Sequence, residues 1–213
     1  MRLLSRFLEF FFHHLYHGFA FVYDFVAAVV SFGHWIEWTK ATLPFLRGTS
    51  VLELGHGPGH LQRAFLERGL DAFGLDESSQ MSRLARRRLL RSGYAQTNLA
   101  RGLGQALPFA GESLDSIVAT FPAPYIAEER TLSEARRVLR NGGRLIVLIA
   151  AWPKSRVLQW VYRVTGQSPA EGADILREKI SRLFLHIGFI VETKIIEVKS
   201  ASLLMIVAEK TME

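Results

Sequence analysis

The sequence predicts an α/β fold: a mostly parallel sheet with helices on both faces, closed at its C-terminal end by an antiparallel hairpin. Three observations carry this. From residue 50 onward, short apolar runs alternate with segments of helical spacing, the pattern of a parallel sheet. Residues 144–151, R-L-I-V-L-I-A-A, form an unbroken apolar run, as a strand buried on both faces requires. The last two apolar runs, 189–199 and 201–209, meet at Ser200-Ala201, and so tight a link permits only a hairpin.

Residues 1–47 read as helical. Leu3, Leu4, Phe7, Leu8, Phe11 and Phe12 recur at helical spacing, and so do Phe21, Phe25 and Val29. Gly18 and Gly33 interrupt the pattern, and Pro44 and Gly48 mark the approach to the first strand. The segment is strongly apolar but carries Arg6, Glu9 and Asp24, and its longest predominantly apolar stretch, 19–30, is 12 residues long and includes Asp24. A membrane span needs about 20 predominantly apolar residues. No small-residue cleavage site follows. The segment is read as amphipathic helices packed on the domain or lying on a membrane surface. It forms a cap, residues 1–47, on a domain of residues 48–213.

Seven strands are expected, at 51–54, 72–75, 94–98, 114–120, 144–151, 189–199 and 201–209. The helix over 60–68 buries Leu61, Ala64 and Phe65 and stops at Gly69. The helix over 79–91 takes Ser78 as its N-cap and Gly93 as its stop. A third helix, 127–140, buries Leu132, Ala135, Val138 and Leu139 and ends at Asn141-Gly142-Gly143. Residues 152–169 break the alternation with Pro153, Gly166 and Pro169. An insertion after the fifth strand sits above the carboxyl edge of the sheet, so it is read as a lid. The helix over 172–187 then places Leu176, Ile180, Leu183, Phe184 and Ile187 on one face.

The chain has 213 residues, enough for one domain with a full core. It has no cysteine, which excludes disulfides and thiolate chemistry and fits a reducing cytoplasm. The net charge is +6. Its densest basic cluster, Arg83, Arg86, Arg87, Arg88 and Arg91, falls opposite the apolar face Met81, Leu84, Ala85 and Leu89. It is read as a solvated face. No aromatic residues interleave with it, which argues against nucleic acid as a partner.

The stretch that carries chemistry is S-V-L-E-L-G-H-G-P-G-H-L, residues 50–61. A strand runs into glycines on alternate positions, Gly55, Gly57 and Gly59, and a helix begins. Glycine tolerates positive φ there and lets a ligand approach the backbone N–H groups. Asp76 ends the next strand, the right distance away for a carboxylate that grips two ribose hydroxyls. A dinucleotide fingerprint would need glycine at position 60, where His60 stands. E-x-G-x-G-x-G instead resembles the first motif of class I S-adenosylmethionine-dependent methyltransferases.

Residues 50–151 resemble the ubiquinone and menaquinone biosynthesis type of these enzymes. Four stretches carry the resemblance: V-L-E-L-G-H-G-P-G-H-L, F-G-L-D-E-S-S-Q-M, A-L-P-F-A-G-E-S-L-D-S-I-V and E-A-R-R-V-L-R-N-G-G-R-L-I-V. It implies a Rossmann-like class I domain and S-adenosylmethionine as cofactor, with S-adenosylhomocysteine as product. Glu53 would orient the methionine amino group, and Gly55, Gly57 and Gly59 would lie under the cofactor, with His56 near its carboxylate. Asp76 would accept the ribose hydroxyls, while Glu77 and Met81 border the adenine. Tyr23 would close over the methionine end. Thr120 and Phe121 would face the sulfonium and the acceptor. The family places an Asp where this chain has Leu103, so at the adenine edge, Leu103-Gly104, an acceptor is lost unless Gln105 replaces it.

Residues 121–125, F-P-A-P-Y, lack the polar residue of the N-P-P-Y motif, so amino-group methylation is disfavoured. The sulfonium is already activated, and a general base is needed only for some acceptors. His14 and Tyr125 are the candidates. His13 and His17 lack the acidic partner of a metal site, and no metal is expected. The function read from these residues is methyl transfer to a small apolar or aromatic acceptor, at oxygen or carbon. The alternatives are an RNA methyltransferase and a membrane-associated or cofactor-binding protein without turnover.

Overall fold

The computed structural model describes residues 33–122, 124–154 and 181–211. The elements in chain order are α1 (Trp35–Lys40), β1 (Ser50–Leu54), α2 (His60–Leu66), β2 (Asp71–Asp76), α3 (Ser79–Arg91), β3 (Asn98–Arg101), β4 (Leu114–Thr120), α4 (Glu129–Val138), β5 (Leu139–Pro153), β6 (Phe189–Glu197) and β7 (Ala201–Lys210). Residues 181–186 are also helical. The strands form one seven-stranded sheet in the order β3-β2-β1-β4-β5-β7-β6. Neighbours from β3 to β5 pair in parallel, and β7 runs antiparallel to both β5 and β6. The α/β class and the closing hairpin are those expected from the sequence.

Alternation along each central strand divides the core into two layers. Leu52, Leu54, Ile117, Ala119, Leu145 and Val147 face one cluster with Leu132 and Ala135 of α4 and with Phe184. Val51, Val118, Ile146 and Leu148 face the other, with Leu61 and Phe65 of α2 and Trp38 of α1. Each of these strands is thus covered on both faces, which is why the runs read as continuous apolar sequence. Burying one such side chain contributes roughly 1.5–3 kcal/mol.

α1 is held at the carboxyl end of β5. Trp38 is buried, and its indole N–H donates to Ser200 Oγ at 2.9 Å. Ser200 lies in the turn between β6 and β7, and the next residue, Ala201, pairs with Pro153 at the end of β5. The helix therefore stands on the edge of the sheet where βα turns gather.

Three boundaries differ from expectation. β3 lies at Asn98–Arg101, not 94–98. It is the outer strand of the sheet and largely exposed, so no apolar alternation marks it. α4 ends at Val138, and Asn141-Gly142-Gly143 lies inside β5 instead of stopping the helix. The pairing jumps there from Leu114↔Leu139 to Ser116↔Arg144, a bulge in which Gly142 takes φ +72°. At Gly143 a Cβ would fall 2.8 Å from the Arg140 carbonyl. β5 then runs on to Pro153, so Trp152 and Pro153 are strand residues paired with Ser202 and Ala201, not the start of a lid. The expected helices before residue 33, the rest of the lid and helix 172–187 up to residue 180 lie outside the described residues.

Candidate functional site

Local chemistry dictates the turn after β1. Gly55, Gly57 and Gly59 all adopt positive φ, at 70°, 51° and 81°. Gly55 N–H donates to the Leu75 carbonyl of β2 at 2.8 Å. Gly59 also meets a packing limit, since a Cβ there would sit 2.8 Å from Ala85 Cβ in α3. Gly57 has nothing within 4 Å of where its Cβ would lie, so its backbone faces open space. Asp76, buried at the end of β2, ties these parts together. Its Oδ2 accepts from Gly57 N–H at 2.8 Å and its Oδ1 from Ser78 N–H at 2.8 Å. Ser78 in turn caps α3, its Oγ accepting from Met81 N–H at 3.3 Å. A carboxylate offers about four lone-pair sites, so each oxygen keeps capacity for a ligand hydroxyl.

A second layer of polar groups lies under the turn. Glu53 is buried, and Gln62 Nε2 donates to its Oε2 at 2.8 Å and to the Phe73 carbonyl at 3.0 Å. Burial pushes the Glu53 carboxyl up to about 8, the Asp76 charge adds to this and the Gln62 hydrogen bond opposes it. His56 Nδ1 lies 2.8 Å from the Gly57 carbonyl, which fixes the proton on that nitrogen. Nε2 is then a buried acceptor with no partner among the described residues. Burial holds the His56 imidazole below its usual pKa, against the pull of Asp76. The ring lies against β2: a Cβ on Gly74 would fall 2.9 Å from His56 Cδ2. Gly74 is the opening that admits the imidazole.

Above the turn is an open cleft of about 320 Å³, a volume that includes space continuous with solvent. Glu53, Gly55, Gly57 and His60 line one side, Thr120 another, and Trp35 and Thr39 of α1 a third. At its rim Phe121 takes φ +47°, a conformation that costs a bulky residue about 1–3 kcal/mol. Its N–H donates to the Leu148 carbonyl at 2.7 Å, and its ring packs on Trp35 with centroids 4.2 Å apart and on Trp38 at 6.4 Å. Tyr125 follows in a 3-10 turn, Pro124–Ala127. Its ring atoms lie 3.3–3.4 Å from where a Gly104 Cβ would be, and its hydroxyl 3.0 Å from the same point on Gly55. The side chain therefore spans from the turn after β3 to the turn after β1, above the end of β2 that carries Asp76.

The model of the ubiE/COQ5 methyltransferase family matches residues 7–171. The chain belongs to this family. Among curated relatives, the demethylmenaquinone methyltransferase of Symbiobacterium thermophilum is 33% identical over 67% of this chain and 60% of its own. The ubiquinone/menaquinone biosynthesis C-methyltransferase UbiE of Geotalea daltonii is 27% identical over 66% of this chain and 63% of its own. The chain thus spans about three fifths of the relatives it matches. A solved S-adenosylmethionine-dependent methyltransferase of Thermotoga maritima covers 93% of this chain and 100% of its own at TM-score 0.61 and 21% identity. The geranyl diphosphate C-methyltransferase of Streptomyces coelicolor A3(2) covers 82% of this chain and 79% of its own at TM-score 0.61 and 13% identity. These two likenesses establish the class I methyltransferase fold.

Of the residues that the ubiE/COQ5 resemblance singles out, the structure brings Glu53, Gly55, His56, Gly57, Gly59 and Asp76 together at the turn, with Thr120 across the cleft. Phe121 stands at the rim, and the Tyr125 ring occupies the space that a side chain on Gly104 would enter. Met81 is buried in α3, whereas Glu77 and Leu103 are exposed. Gln105, the suggested replacement for an Asp at position 103, donates to Glu128 Oε2 at 2.8 Å. His14 and Tyr23 lie outside the described residues. Sequence reasoning missed Gln62 and Thr39. A glutamine among the apolar positions of α2 was the signal for the first. The second comes from the segment read as a cap.

Proposed function

We propose that this chain is an S-adenosylmethionine-dependent methyltransferase that acts on a carbon of an apolar, quinone-type ring. The observation that carries this reading is Asp76, held by Gly57 and Ser78 N–H groups beneath a turn whose glycines leave open space for a ligand. The residues fit the cofactor: side chains on Gly55 or Gly57 would fill the cradle, and both Asp76 oxygens can still accept ribose hydroxyls. Bound there, S-adenosylmethionine supplies a methyl group already activated on a sulfonium.

The chain's own residues then bind, align and exclude water. Asp76 fixes the ribose, and Tyr125 packs against the nucleoside from the opposite side. Glu53, acidic and buried at the methionine end, receives the cationic amino group and gives up its proton to do so. Trp35 and Phe121 form an apolar wall against which a planar ring stacks. Methylation of a ring carbon adds CH3 from the sulfonium and releases one proton, which passes to water or to a basic group of the cleft such as the His60 imidazole. His60 and Thr120 line the cleft with groups that can hydrogen-bond an acceptor hydroxyl. Tyr125 remains the candidate catalytic residue within the described segments. The carbon assignment is supported by the relatives' names, which specify demethylmenaquinone and C-methylation.

Incubation with methyl-labelled S-adenosylmethionine and demethylmenaquinone kept chemically reduced to the quinol, whose electron-rich ring carbon can attack the sulfonium methyl, tests the proposal. The expected result is label in the quinone with matching release of S-adenosylhomocysteine. Cofactor binding with no label in any quinone or lipid extract would make this a binding protein instead.

A further inference from the structure

The charge of this chain is distributed unevenly. Residues 78–111 contain six arginines and no acidic residue. The rest of the chain carries 20 basic and 20 acidic residues, so the whole net charge of +6 resides in this one stretch. It folds as α3 and β3, at one edge of the sheet. Arg88 turns inward to the Pro58 carbonyl and Arg101 to the Glu77 carbonyl, so both serve the fold. Arg83, Arg86, Arg87 and Arg91 are exposed and pair with no carboxylate among the described residues. At helical spacing they surround Leu90, which is 59% exposed.

We propose that this face of α3 docks on an anionic phospholipid bilayer. Four exposed arginines in a stretch without acidic residues suit a surface of phosphate groups, to which guanidinium binds in bidentate fashion. Leu90 at their centre suits the boundary between headgroups and acyl chains, where an aliphatic side chain is buried while the cations stay at the phosphate level. Single-stranded nucleic acid would call for aromatic residues among the cations, and α3 has none. Among the described residues no helix is long and apolar enough to cross a membrane, so this contact is with the surface. The inference stands on the charge pattern and does not need the methyl-transfer reading.

The test is co-sedimentation of the full chain with vesicles of phosphatidylcholine alone and with vesicles doped with phosphatidylglycerol. The chain is expected to partition only to the doped vesicles and to leave them as salt is raised. The variant with Arg83, Arg86, Arg87 and Arg91 all changed to Gln is expected to bind at least tenfold more weakly with an unchanged Tm. Leu90→Gln, which keeps every charge, is expected to weaken binding severalfold. Equal partition to both vesicle types, no partition, undiminished binding of the fourfold variant, or displacement of the vesicles by RNA would each overturn the proposal.

Discussion

The floor and the wall of the cleft are built by different means. The floor is β1, its glycine turn and Asp76, and nearly every contact in it is a backbone N–H meeting an acceptor fixed by local geometry. The wall is Trp35, Phe121 and Trp38, brought together from the chain before β1 and the end of β4. The floor tolerates little change, because all three glycines hold positive φ and Gly59 also lacks room for a Cβ. The wall tolerates change in shape, because ring packing is diffuse. Under the proposed function the rigid floor would hold the cofactor and the adjustable wall the acceptor.

The comparison predicts its largest effect at Gly59. Gly59→Val places a β-branched residue at φ +81° and drives its Cβ against Ala85. The combined strain and overpacking should cost about 2–5 kcal/mol, read by urea unfolding. A loss under about 1 kcal/mol would mean that α3 shifts freely and that the floor is not rigid.

The next effect is in the pH response. Glu53 keeps its proton to about pH 8 in the folded chain, against 4.5 for the unperturbed carboxyl. Between those values the unfolded chain binds fewer protons, so stability falls as pH rises through the window. His56 acts in the opposite sense: its lowered pKa makes stability fall as pH drops below about 6.5. Glu53→Gln should therefore abolish the decline between about pH 4.5 and 8 and leave the acid-side loss intact. Parallel declines in both proteins would show that Glu53 is ionised in the folded state. The same window should appear in binding: affinity for S-adenosylhomocysteine should rise towards pH 8 in the parent protein and stay flat in Glu53→Gln.

A smaller effect tests the wall. Trp35→Ala removes the ring stacked on Phe121, a contact of about 0.5–1.5 kcal/mol, so KM for the acceptor should rise roughly three- to tenfold. Affinity for S-adenosylhomocysteine should change less than about twofold. A larger loss of cofactor affinity than of acceptor affinity would merge wall and floor into one unit. The smallest effect is at Leu103. Leu103→Asp restores an acceptor at the adenine edge, and discrimination against the inosine analogue of S-adenosylhomocysteine should grow by up to about 1 kcal/mol. Strong discrimination already in the parent protein would mean that another group reads the adenine amino group.

The floor was legible in the sequence because it is written in short spacings. The glycines, Asp76 and the Ser78 cap follow one another within 24 residues and answer to backbone rules alone. The central strands were legible for a related reason, since burial on both faces leaves a continuous apolar run. β3 was misplaced because an exposed edge strand needs no such run, and Asn141-Gly142-Gly143 reads equally as a helix stop and as the bulge it makes in β5. The wall was less legible. Nothing in the residue type of Phe121 announces positive φ, and the pairing of Trp35 with Phe121 joins positions 86 apart in the chain. Gln62 was passed over because a glutamine on a helix normally faces water, whereas here Glu53 draws it inward.

Whether Asp76 holds the nucleoside over the glycine turn is decided by calorimetric titration with S-adenosylhomocysteine. The expected result is one site per chain in the parent protein and, in Asp76→Ala, a loss of about 1.5–3 kcal/mol, or roughly ten- to a hundredfold in Kd. Undiminished affinity in a folded Asp76→Ala protein would contradict it.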